Sequence, residues 1–347
     1  MERINQLQEI HVKKKDGIKN YIPFAFPKMS SMIPGIIKGT PYIISAGTGV
    51  GKTQLTKYLA VINSIEYAIE NNVDLKILYF ALEESIEEFT DSLLTYLIQK
   101  DSGVQYSVLD LQGISDNEVD FNIVRKSQAK LEQFLDYLEI VDFIYNPTGI
   151  FKYVYNYAET RGTHVKVSKE GEEYYDHYVP NNPDEHIIVI CDHVSLLNTE
   201  KGNSQMQTIL KYSVDYSRKM FTKKFNYSSV IVQQQANVGE DIAHAKANAL
   251  EPRLNNLADA KSTKNDALIV LGVFDPFRHD SIVVKNNFRN INLKKWAADH
   301  GTDALRSINI MKNRYGNSNK VILFKFNGAT NNFIELTNED REKYKFI

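Results

Sequence analysis

The sequence has 347 residues, 43% of them hydrophobic and 24% charged, which excludes a disordered or collagen-like chain and suits either two domains or one large α/β domain with insertions. A formal net charge of −2 excludes a protein coated in basic residues, although a local groove could still hold nucleic acid. The lone cysteine, Cys191, excludes an internal disulfide and fits a reducing, cytoplasmic setting, and no apolar run approaches the ~18 residues of a membrane span.

In chain order, residues 1–20 read as a short amphipathic helix, with Ile4, Leu7 and Ile10 at helical spacing before Lys13-Lys14-Lys15-Asp16-Gly17 ends it. Residues 21–347 read as one α/β domain. Apolar runs at Tyr42–Ser45, Leu75–Phe80, Leu138–Phe143, Ile187–Cys191, Ser228–Val232 and Ala267–Phe274 alternate with helical stretches. The first stretch covers Gln54 to Asn71, and another opens at Ser85. This alternation predicts a mostly parallel sheet buried on both faces. Two polar segments interrupt it: residues 164–183, expected to form a surface hairpin turning at Lys169-Glu170-Gly171-Glu172, and residues 275–300, a second insertion. Residues 321–336 read as two strands joined at Asn327-Gly328.

The strongest signal is Ala46-Gly47-Thr48-Gly49-Val50-Gly51-Lys52-Thr53, a phosphate-binding loop with alanine at the first glycine position. Glycines let backbone N–H groups turn inward onto an anion, and the following helix adds its dipole. Lys52 is expected to hold the β- and γ-phosphates of ATP and Thr53 to place its hydroxyl on Mg²⁺. Glycines at 47, 49 and 51 do not make a dinucleotide fingerprint. Asp192 ends the apolar run at Cys191, where a carboxylate can reach the magnesium through water. Only one acid stands there, so the base that activates water comes from elsewhere. Glu83, at the tip of the strand before Ser85, is placed to polarise it, with Glu84 the alternative.

At these residues the chain resembles the DnaB-type replicative helicases, which carry Phe-Ser-Leu-Glu at this place in a RecA-like core. Further pieces follow in family order. Residues 22–39 are similar to the lead-in to the phosphate loop, and Asp192-His193-Val194-Ser195-Leu196-Leu197 to the Asp-Tyr-Leu-Gln-Leu strand end. Gln233-Gln234-Gln235-Ala236-Asn237 resembles Ser-Gln-Leu-Asn and makes Gln235 the γ-phosphate sensor. Residues 256–267 resemble the stretch that builds the central DNA-binding loop, and Lys312-Asn313-Arg314 the Lys-x-Arg motif whose arginine enters the neighbouring subunit's ATP site. Ala258 stands where the family has an arginine, and Glu83-Glu84 matches the paired glutamates of KaiC- and RadA-like ATPases.

The resemblance implies a RecA-like P-loop NTPase core with antiparallel C-terminal strands, catalytic roles for Glu83, Gln235, Lys312 and Arg314, and ATP with Mg²⁺ as cofactors. It implies a homo-oligomeric ring, a hexamer, around single-stranded DNA held near Arg253, Asp259, Ala260 and Lys261. Lys246 is a further basic candidate. A primase or helicase loader is the implied partner. The size suits a collarless phage or mobile-element version. Two other classes stay open. One is a RecA-, RadA- or KaiC-like ATPase that remodels DNA without processive unwinding. The other, a small-molecule kinase, gives Arg314 no role.

Overall fold

The computed structural model describes residues 2–169, 172–236 and 250–347. Among the described residues nine strands form one sheet: β1 (Pro41–Ala46), β2 (Leu75–Ala81), β3 (Leu138–Val141), β4 (His186–Asp192), β5 (Ser228–Gln234), β6 (Ile269–Phe274), β7 (Leu305–Asn313), β8 (Lys320–Asn327) and β9 (Asn332–Glu335). Their spatial order is β9-β8-β7-β6-β1-β5-β4-β2-β3. The six strands from β6 to β3 run parallel, and β7, β8 and β9 extend the sheet antiparallel beyond β6. The fold is RecA-like.

Burial on both faces explains why these strands are continuous apolar runs. Side chains alternate across the pleat. Ile77, Tyr79 and Ala81 of β2 therefore join one core with Leu55, Leu59, Ile62 and Ile65, from the helical stretch 52–71. Leu78 and Phe80 face the other core, beside Ile150, Val154 and Ala158 of the helix Pro147–Arg161. Each of the leucine, isoleucine, valine and phenylalanine side chains among them, fully buried, stabilises by about 2 kcal/mol. The helix Ile86–Ser102 begins where expected: Ser85 accepts from the Glu88 N–H, and the Glu88 carboxylate accepts from the Ser85 N–H.

Residues 162–180 form the expected hairpin, Gly162–Lys169 against Glu172–Pro180, and the turn expected at residues 170–171 lies outside the described residues. The second insertion folds into short helices and a two-strand ribbon, and it buries Leu293 and Trp296 in a third core with Phe274, Leu323 and Tyr344. The N-terminal helix, Glu2–Lys15, leaves Ile4, Leu7, Ile10 and Val12 exposed and is tied to the body by an ion pair of 2.6 Å between Lys13 and Asp184. Among the described residues, no helix is long and apolar enough to cross a membrane.

Candidate nucleotide site

Parallel strands deliver their C-terminal ends to one edge of the sheet, and the ends of β1, β2, β4, β5 and β6 lie together there. After β1 the chain forms the glycine loop. Gly49 (φ +69°) and Gly51 (φ +110°) hold the left-handed conformations that let it curl, and the helix starts directly at Lys52. A pocket of about 230 Å³ lies against Gly49, Gly51, Lys52, Thr53, Gln54, Glu83 and Glu84, a volume suited to phosphates rather than to a whole nucleotide.

Lys52 is buried, and its Nζ stands 3.5 Å from Glu83 Oε2. The Glu83 side chain is 50% exposed, so it reaches both the pocket and solvent water. Glu84 is placed differently. Its Oε2 lies 2.7 Å from the Nζ of Lys57, which also donates to Ser92 Oγ at 3.0 Å and sits 4.3 Å over the Phe89 ring. Burial raises the Glu84 pKa against the opposing pull of Lys57. The two neighbouring acids both line the pocket but have different surroundings: Glu83 reaches solvent, whereas Glu84 is held by Lys57.

Asp192 is buried, with Oδ2 accepting from Tyr79 Oη at 2.6 Å. Burial raises its pKa, while Tyr79, Lys52 and Thr53 pull the other way. Its Oδ1 is buried with no hydrogen-bond partner, a desolvated carboxylate oxygen of the kind that a metal-bound water satisfies. The residues fit Mg²⁺: the Thr53 hydroxyl and Asp192 would hold it, directly and through water. His193 is also buried, with Nε2 3.7 Å from Glu83 Oε2; burial and Lys52 keep its pKa below the usual imidazole value.

The glutamine run resolves differently from expectation. Gln235 turns to Ser45, donating to its Oγ at 2.8 Å, while Gln234 donates to the Thr48 hydroxyl of the loop. Neighbours on a strand point to opposite faces, so only one of the pair can face the loop. In this chain that residue is Gln234.

Lys312 and Arg314 lie far from this pocket. Because β7 is antiparallel to β6, with Ser307 opposite Phe274 and Asn313 opposite Ile269, the exposed Arg314 emerges at the other end of the sheet. Its N–H bonds the Leu268 carbonyl at 3.0 Å, and Lys312 Nζ donates to the Lys264 carbonyl at 2.5 Å. Six residues of strand separate these groups from the phosphate loop of their own chain, roughly 20 Å at ~3.3 Å per residue.

Of the residues expected near DNA, Arg253 and Lys261 are exposed, whereas Ala260 is buried, so its side chain cannot touch a ligand. The Asp259 carboxylate accepts from Ser195 Oγ at 2.5 Å, turned toward the end of β4. Lys246 and Asn237 lie outside the described residues.

Two arginines on the loop were not foreseen. Arg306 is buried and donates to the Val50 carbonyl at 2.8 Å, paired with Asp275 at 3.2 Å, and Arg278 donates to the Thr48 carbonyl. A cation at the start of an otherwise apolar strand was the available signal for Arg306. Arg278 carried none.

No family model matches the sequence, and no curated protein matches it. The chain is similar in structure to a solved ATPase domain (TM-score 0.66, 15% identity), covering 96% of this chain and 99% of that one. It is also similar to "The Structure Of A DnaB-Like Replicative Helicase And Its Interactions With Primase" (TM-score 0.65, 16% identity), covering 96% of this chain and 66% of that one. The fold is therefore RecA-like, and it carries a glycine loop with acids near the strand tips beside it. Within that class, the two solved structures share its fold over nearly the whole of this chain.

Proposed function

We propose that the chain is the motor domain of a ring-forming ATPase of the DnaB type, which hydrolyses ATP at subunit interfaces to move along single-stranded DNA and part the duplex. The observation that carries this reading is the separation of Arg314 from its own Lys52 by the length of the sheet. An exposed arginine there is out of reach of its own phosphates and free to serve a neighbour's.

In this reading the loop N–H groups and Lys52 hold the phosphate chain, and Glu83 accepts the proton of the attacking water. Gln234 senses the terminal phosphate from β5. Magnesium, held by Thr53 and Asp192, would supply charge neutralisation at the phosphate oxygens. Arg253 and Lys261 supply cations for the DNA backbone, and backbone N–H groups make up for Ala258. A primase would be the partner, by analogy with the second solved structure.

The test is strand displacement on forked DNA with ATP. Unwinding together with ATPase stimulated by single-stranded DNA is the expected result. Stimulated ATPase without displacement would favour a RecA-like remodeller, and ATPase indifferent to DNA would favour a kinase.

The N-terminal helix fits the same picture. Its exposed Ile4, Leu7 and Ile10 are proposed to pack on a second copy, which would bury apolar surface that its own chain leaves open. Deleting residues 1–15 is expected to reduce the oligomer seen by light scattering while leaving the circular dichroism of the remaining domain native-like. An unchanged particle mass would exclude this role.

A further inference from the structure

We propose that Arg278 is a second cation of the nucleotide site, supplied by the same chain as Lys52, and that it binds the terminal phosphates of a nucleoside triphosphate. The inference rests on the nucleotide-binding reading of the glycine loop and adds to it a residue from the 275–300 insertion.

Strand pairing brings Arg278 there. β6 lies parallel to β1 with Val273 opposite Ala46, so the chain leaving β6 emerges level with the glycine loop leaving β1. The next turn is rigid: Pro276 restricts the backbone, and Asp275 Oδ1 accepts from the Phe277 N–H at 3.0 Å. This single turn ends at Arg278, whose Nη1 donates to the Thr48 carbonyl. A methyl group placed on Gly49 would lie 3.9 Å from the same nitrogen.

The electrostatics leave this charge available. Asp275, whose carboxylate feels Arg278, is already committed to the buried Arg306 at 3.2 Å. Arg278 is exposed at the rim, and of the five N–H donors of a guanidinium the Thr48 carbonyl takes one. A neutral carbonyl is a weaker partner than a phosphate, to which arginine makes charge-assisted, two-pronged bonds. Position selects the outer phosphates. The helix start at Gly51 to Thr53 takes the phosphate chain from one side, with Lys52 on its β- and γ-phosphates. Thr48 and Gly49 form the other limb of the loop, between Gln234 on one side and Arg278 on the other.

Equilibrium binding of a fluorescent ATP analogue with Mg²⁺ tests the assignment on the full chain. Arg278→Ala is expected to weaken binding about tenfold and to make it less sensitive to salt, as for the loss of one charge-assisted contact. Arg278→Gln should be as weak as Ala, and Arg278→Lys should recover part of the loss. Gln can still donate to the Thr48 carbonyl, so full recovery by Gln would show that Arg278 only pins the loop and would overturn the proposal. Unchanged binding by Arg278→Ala would also overturn it. Lys52→Ala separates the two levels. Loss of binding there, with Arg278→Ala intact, removes Arg278 alone, whereas a parent protein that binds no ATP analogue removes the nucleotide reading itself.

Discussion

Glu83→Gln is expected to lower ATP turnover by roughly 10²–10⁴-fold, the range for loss of a general base, while leaving the nucleotide bound. The amide keeps the shape of the side chain and can still accept a hydrogen bond, but it cannot take the proton of the attacking water. Because Glu83 is half exposed, its 3.5 Å pairing with Lys52 is partly solvated, and the fold should be little affected. Glu84→Gln is expected to do the reverse. It weakens the 2.7 Å pairing to buried Lys57, so stability should drop by roughly 2 kcal/mol with turnover largely retained. Single-turnover hydrolysis and urea midpoints, measured on both variants, separate the roles. Turnover at the parent rate in Glu83→Gln would make Glu83 only a helix-opening acid and move the search for the base to Glu84.

The pair shows what the sequence could and could not disclose. Two adjacent glutamates after a strand are equivalent on paper, and only the partners they meet in the fold, Lys52 for Glu83 and Lys57 for Glu84, tell them apart. The same limit produced the shift from Gln235 to Gln234, because a Gln-Gln-Gln run gives no hydrophobic contrast from which to read a face. Lys52, Thr53 and Asp192 were legible because their chemistry is local: a loop and a strand end, each written in a few consecutive residues. The parallel strands were legible because burial on both faces demands unbroken apolar runs. Arg278 and Arg306 were not, since each reaches the loop through pairing between segments 230 and 256 residues apart. The helix Pro147–Arg161 was overlooked although Ile150, Val154 and Ala158 recur every four residues. Its three tyrosines between them blurred the apolar stripe. The DNA loop was the least legible part, for Ala260 looked available and is in fact packed with Leu257 in the core, its carbonyl bonded by Gln233.

Arg314→Ala is expected to reduce ATP turnover by ~10³-fold or more, the scale of an arginine that stabilises transition-state charge, although it lies at the far end of the sheet from its own Lys52. Lys should restore little, because the planar fork that spans two phosphate oxygens is lost. Geometry makes the effect a property of the interface, and mixing subunits shows it. Arg314→Ala and Glu83→Gln proteins are each expected to be nearly silent alone. In a mixed ring, some interfaces bring an intact Glu83 on one subunit against an intact Arg314 on the next, so part of the activity should return. Restoration should follow the mixing ratio, peaking near equal amounts. If Arg314 instead served its own subunit, every site in the mixture would still lack one group, and no ratio would revive hydrolysis. Residues 1–15 add a second handle: if their deletion disperses the oligomer, it should abolish the restored activity as well, because an arginine that acts across an interface needs the interface to exist.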